Sequence, residues 1–266
     1  MERQFVKIEK GLGPQGRIAV VRFDRGDNIN ALSQQAMREL RDVPRDFEDD
    51  LETSVVILTG TAKAFCAGFD LKDPEGRARD ALSLGERLHK QRLGPKMCRA
   101  WQEMDQVTIA AIEGHCVGGG AALAVSLDFR TCGRSAHFRI PEIELGMNMS
   151  WGSIPRMLAL MGPARTKQAV ILASDRIGAA EALDWGLVEN VVDDGQALAA
   201  SMEFAERIAR QPPIPVRMSK TTINRLAHAL DDLASHMDAD QNVLTGLTED
   251  YKEGTSAFRE KRKPVF

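Results

Sequence analysis

Cysteine is scarce and unpatterned in this chain of 266 residues: Cys66, Cys98, Cys116 and Cys132 form no C-x-x-C and no zinc-like spacing. A disulfide scaffold and a zinc module are thereby excluded, and free thiols in a reducing compartment are expected. Charge of one sign is also missing. Lys plus Arg number 35 against 38 for Asp plus Glu, a net charge of −3. A nucleic-acid binder needs a strongly basic face for phosphates, so that class loses its support. Long apolar runs are absent too. The longest uncharged stretch, 114–127, lies between Glu113 and Asp128, holds four glycines and is too short to span a bilayer. The first residues carry mixed charge at Glu2 and Arg3 and show no apolar signal core, so a cytoplasmic protein without membrane attachment is expected.

What is present is an ordinary globular balance, 43% hydrophobic and 27% charged. That excludes collagen-like and disordered chains and suffices for a full core. Alternation at 5–8 and the β-branched run at 18–23 predict two strands. Ser33 is a plausible N-cap for a helix carrying Met37, Leu40, Phe47 and Leu51, which Pro44 kinks or splits. Short apolar strands follow at 54–59, 108–112 and 129–132, with a small-residue helix at 121–126. A helix at 179–185 with Gly186 at its end leads into a strand at 187–192. Strands and helices alternate, so the class is α/β with a largely parallel component. The strands are short and irregularly spaced, which suits a coiled or spiral sheet. Beyond 195 the pattern is helical, with Pro212, Pro213 and Pro215 as a break. The chain therefore divides into a core at 1–195 and a helical region at 196–266, which has little of its own to bury its apolar face against.

The stretch GLGPQG at 11–16 has the spacing of a dinucleotide fingerprint. That motif works only when a helix N-terminus follows at once, and here a strand follows, so a hairpin loop is the better reading. His115 and Cys116 are adjacent on extended chain and point to opposite faces, so they do not pair as base and nucleophile. The remaining histidines form no ligand cluster, and no metal site is expected. Two glycine-bearing segments stand apart: AFCAGFDL at 64–71 and GHCVGGG at 114–120, each just after an apolar strand. Such turns expose backbone N–H groups where a substrate oxygen can approach, and a convergent pair makes an oxyanion hole. Singly, each glycine set is more often a packing device.

Taken together with PEIELG at 141–146, NAL at 30–32, LDWGLV at 183–188 and GTSAFREKR at 254–262, the two turns closely resemble the crotonase superfamily, the enoyl-CoA hydratases and isomerases. The resemblance runs through essentially the whole chain. It implies a spiral of β-β-α units with a C-terminal helical trimerisation region, assembled as a trimer or a dimer of trimers. It implies an acyl-CoA thioester substrate of fatty-acid type, with coenzyme A as part of the substrate and no separate cofactor. The thioester oxygen would rest on the N–H groups of Phe69 and Gly119, and Glu142 would be the acid/base. Ile29, Ala67, Asp70, Leu71 and Lys72 would lie along the CoA path, with Phe258 and Lys261 reaching it from the C-terminal region.

One departure bears on the reaction. Hydratases of the family use two glutamates, and the position matching the first is Ala122. An isomerase needs a single carboxylate that takes a proton at one carbon and returns it at another. The segment after the Pro-Glu motif, Met147 to Gly152, is also bulkier than the glycine-rich stretch that positions water in hydratases. The expectation is thus an enoyl-CoA isomerase, with hydration by Glu142 or Glu144 as the alternative and a non-catalytic acyl-CoA-binding homologue as the rival of another class. Glu144 shares a face with Glu142 in extended chain. As a residue type there it is more often structural, as are Glu113 and Asp70, the latter as a helix cap.

Overall fold

The computed structural model describes residues 3–77, 82–173 and 175–266. Among the described residues ten strands form two sheets. The first sheet takes Val6–Leu12 (β1), Ile18–Phe23 (β2) and Val55–Thr59 (β3), while Ala64–Cys66 (β4) opens the second. Val107–Ile112 (β5) returns to the first sheet and His115–Val117 (β6) to the second, and Phe129–Gly133 (β7) and His137–Arg139 (β8) repeat the step. Ile177–Gly178 (β9) and Asn190–Val192 (β10) complete them. The orders are β1-β2-β3-β5-β7-β10 and β4-β6-β8-β9. Pairing is parallel except at the two edges, β1 with β2 and β8 with β9. Each coil therefore sends a long strand along one sheet, a three-residue strand along the other, and then a connection back.

Burial explains the long strands. β3 and β5 are buried at every position, as central strands covered on both faces must be. Val56, Leu58, Ala110 and Ile112 share one core with Phe65, Cys66, Cys116 and Phe138 of the second sheet. Val55, Ile57, Ile109 and Ala111 face the other way, onto Ala197, Ala205 and Ala209. The helix Ala197–Ala209 thus covers the outer face of the first sheet and packs with the core, although the sequence places it in the C-terminal region. After it come the helices Pro213–Ala227, Asp231–Ser235, Asp238–Thr245 and Glu249–Glu260. Among the described residues no helix is long and apolar enough to cross a membrane.

Local differences from the sequence reading have local causes. The helix capped by Ser33, whose side chain accepts from Ala36 N–H, ends at Asp42 because Pro44 starts a separate short turn, and Leu51 is exposed. The strand expected at 187–192 shrinks to β10. Gly186, at φ +78°, reverses the chain, and the N–H groups of Leu187 and Val188 both close on Ala182 O. The GLGPQG segment is the β1–β2 hairpin loop, closed by Gly16 N–H to Gly13 O. The small-residue helix starts at Gly119 and ends at Ala124, two residues earlier than expected at each end.

Candidate active site

The two glycine turns meet. A Cβ on Gly68 would fall 2.8 Å from Val117 O and 3.4 Å from Gly119 N, and one on Gly120 would fall 2.5 Å from Cys66 O. Only residues without side chains allow that approach. The first turn is strapped by the loop before it, with Ala67 N–H donating to Ile29 O, Leu32 N–H to Gly68 O and Asp70 N–H to Leu32 O. Asn30 organises this loop from a fully buried position at φ +51°. Its amide donates to Phe23 O and Ala64 O and accepts from Arg25 N–H. Among the described residues, neither Phe69 N–H nor Gly119 N–H meets an acceptor, and both residues line one cavity of about 480 Å³.

The carboxyl that faces these turns is Glu142. It opens a short turn, Glu142–Leu145, that follows β8 and ends at Gly146 in the left-handed conformation. Gly118 stands at φ +51° and ψ −116°, and a Cβ there would fall 2.7 Å from Glu142 Oε1. Glu142 Oε2 is buried without a hydrogen-bond partner. Desolvation pushes this carboxyl up to about 7, against smaller opposing effects of its own backbone N–H and the Arg139 guanidinium. The turn is backed by the helix Glu249–Glu260. A Cβ on Gly254 would fall 2.6 Å from Leu145 C and 2.7 Å from Glu144 O, so helix and turn touch backbone to backbone.

The cavity also holds Ala67, Leu71, Ala122, Glu144, Phe258 and Lys261, as the sequence suggests. Glu144 is ion-paired with Arg139, whose Nε donates to Ala173 O. Glu142 and Glu144 are the two carboxyl side chains in the lining among the described residues. Ala122, one helical turn beyond Gly118, presents a methyl where a second acid was sought. Three expected residues lie outside the cavity lining. Ile29 is exposed beside the cavity, and Lys72 is exposed on the turn past Leu71. Asp70 is held by Arg25 at 2.8 Å and accepts from Lys72 N–H, because its side chain turns to the strap loop. Neither does it cap the next helix: Asp73 accepts there from Glu75 N–H. Glu113 is structural, accepting from Ala197 N–H at the start of the sheet-covering helix.

The thiols take no part. All four are free and buried, with Cys66 pushed up to about 12 and Cys116 driven well above its usual value by desolvation. His115 and Cys116 do point to opposite faces, but His115 Nδ1 lies 2.9 Å from His137 Nε2, a contact that pairing of β6 with β8 creates and sequence separation hides. Sequence reasoning also missed the far wall of the cavity: Met37, Gly94, Met149 and Trp151. Gly94 sits on the helix Leu93–Gln102, docked to Gln34–Asp42 by the Trp101 indole donating to Leu40 O. The bulk of the segment Met147 to Gly152 was the visible signal.

Among the described residues, two unpartnered backbone donors and one desolvated carboxyl thus share a cavity, the kind of arrangement that suits an oxyanion and a proton transfer. A family model described as enoyl-CoA hydratase/isomerase matches residues 13–266, and the chain belongs to that family of acyl-CoA enzymes, within the crotonase superfamily. It is 34% identical over 256 residues to a crotonyl-CoA hydratase of Syntrophomonas wolfei, covering 96% of each chain. It is 34% identical over 265 residues to a short-chain-enoyl-CoA hydratase of Clostridium acetobutylicum, covering 99% of this chain and 97% of the relative. The crystal structure of a carnitinyl-CoA hydratase from Mycobacterium avium is similar, at TM-score 0.84 and 29% identity, over 100% of this chain and 99% of that one. The fold is thus the α/β crotonase fold with helices at the C-terminus.

Proposed function

We propose that the cavity binds an enoyl-CoA thioester and that Glu142 isomerises its double bond unaided. The carbonyl oxygen rests on Phe69 N–H and Gly119 N–H. Glu142 takes a proton from C2 of a 3-enoyl-CoA, the electron pair moves into a dienolate held by the two donors, and the same carboxyl returns the proton at C4. The product is the 2-enoyl isomer, and no atom is gained or lost. The observation that carries this reading is the isolation of Glu142: Glu144 is tied to Arg139 and Ala122 offers a methyl. A carboxyl near 7 is suited to both halves of the transfer at neutral pH. CoA enters as part of the substrate, past Ile29, Ala67, Leu71, Lys72, Phe258 and Lys261, and no further cofactor is needed. Further copies of the chain, as a trimer or a dimer of trimers, cover the exposed Ile214, Met218, Leu226, Leu230 and Leu233 of the C-terminal helices.

Hydration of 2-enoyl-CoA is the second reading, favoured by the names of the two bacterial relatives. Assays of 3-enoyl-CoA and 2-enoyl-CoA side by side separate the two. Isomerisation is expected to exceed hydration by at least about tenfold, roughly 1.4 kcal/mol in barrier. Glu142→Gln is expected to abolish turnover with CoA affinity nearly unchanged. Efficient hydration with no action on 3-enoyl-CoA reverses the assignment, and more than a tenth of the activity surviving in the variant moves the acid to Glu144.

A further inference from the structure

The indole of Trp151 abuts the turn that carries Gly119. A Cβ on Gly119 would fall 2.5 Å from Trp151 Cζ3, and one on Gly94, across the ring, would fall 2.1 Å from Trp151 Cε2. Two glycines from different helices thus leave a slot that this one ring fills. The ring is nearly buried, and it borders a second space as well. Behind it lies a polar chamber of about 670 Å³ lined by Arg99, Gln102, Arg156, Lys220 and Asp232, and Trp151 is a wall of both.

The backbone is strained to place it there. Trp151 has φ +64°, a left-handed conformation that a bulky residue adopts at a cost and that clusters where structure serves a site. Its neighbours hold the conformation. Arg156 Nη1 donates to Trp151 O at 3.0 Å, and Gly152 N–H donates to Asp238 Oδ2 at 2.7 Å. The loop is thus pinned with its ring beside Gly119, a wall between the cavity that holds the two free N–H groups and the polar chamber.

We propose that Trp151 is the end wall of the acyl site and restricts the enzyme to short-chain acyl thioesters, closing off the polar chamber behind it. This rests on the reading that the thioester carbonyl sits on Phe69 and Gly119. In an open apolar pocket each further buried methylene strengthens binding roughly fourfold. An end wall turns that rise into a fall.

The experiment is calorimetric titration of the purified protein with saturated butyryl-, hexanoyl-, octanoyl- and decanoyl-CoA, which need no turnover, with CoA itself as control. The wild type is expected to bind butyryl-CoA at least about tenfold more tightly than decanoyl-CoA. Trp151→Ala is expected to raise the decanoyl-to-butyryl affinity ratio at least about tenfold, and Trp151→Phe, which keeps a ring in the slot, to raise it less. A wild-type affinity that stays level or rises with chain length overturns the wall by itself, whether or not the alanine variant folds. So does an unchanged ratio in a folded variant. Both outcomes leave the carbonyl site standing. Binding of CoA alone, with no contribution from any acyl group, overturns the carbonyl site and the wall together.

Discussion

The carboxyl of Glu142 and the backbone of Gly118 share a space that no side chain fits: a Cβ on Gly118 would lie 2.7 Å from Glu142 Oε1. The second glycine turn, which carries the Gly119 N–H, therefore also sets where the Glu142 carboxyl stands.

Replacing that glycine tests the relationship. Gly118→Ala puts a methyl against the carboxyl and demands φ +51° with ψ −116° of an L-residue. The strain destabilises the fold by about 1–3 kcal/mol. A reacting group displaced by about 1 Å costs on the order of hundredfold in rate. Melting temperature and kcat/KM, measured on the same preparation, are both expected to fall. A folded variant with wild-type kcat/KM would show that the acid stands elsewhere.

The position of Glu142 also sets a pH dependence. Desolvation raises its folded-state value from 4.5 to about 7, so proton abstraction requires a group that is ionised only above that. The kcat/KM of the wild type is expected to fall with unit slope as pH drops below about 7, and this acid limb is expected to be absent from any residual rate of Glu142→Gln. Stability runs the other way. The raised value contributes stability that is complete below 4.5 and is lost as pH rises through about 7. The melting temperature of Glu142→Gln relative to wild type is accordingly expected to be higher at pH 8 than at pH 5. Parallel melting curves at the two values would mean that the carboxyl is not buried.

Ala122 gives the third test. A carboxyl at this buried position would stand in the same cavity as Glu142 and supply the group that hydration lacks. Ala122→Glu is expected to raise hydration of a four-carbon 2-enoyl-CoA by about tenfold or more. Like-charge proximity is expected to move the acid limb of its pH profile upward. No gain in a folded variant would mean that Glu142 manages water without a partner.

The long strands and the class of the fold were legible because β3 and β5 are continuous apolar runs, the pattern of strands covered on both faces. The four strands of the second sheet were not, since two or three residues carry no periodicity and owe their pairing to the turns beside them. That Glu142, Phe69 and Gly119 share one cavity was legible through the resemblance of their motifs to a family. Asp70 was misread because Arg25, 45 positions away, takes its carboxylate. The far wall was hidden for the same reason: nothing along the chain says that Gly94 and Gly119 face each other across Trp151.

The backbone contact of Gly254 with Glu144 and Leu145 makes the Glu142 turn depend on a helix far from it along the chain. The two glycine turns and Glu142 all precede the helix Glu249–Glu260 that braces the Glu142 turn. A chain with the spiral and its glycine turns in place but this helix undocked lacks the support behind Glu142. The spiral by itself thus leaves one side of the Glu142 turn open, and the helix Glu249–Glu260 closes it.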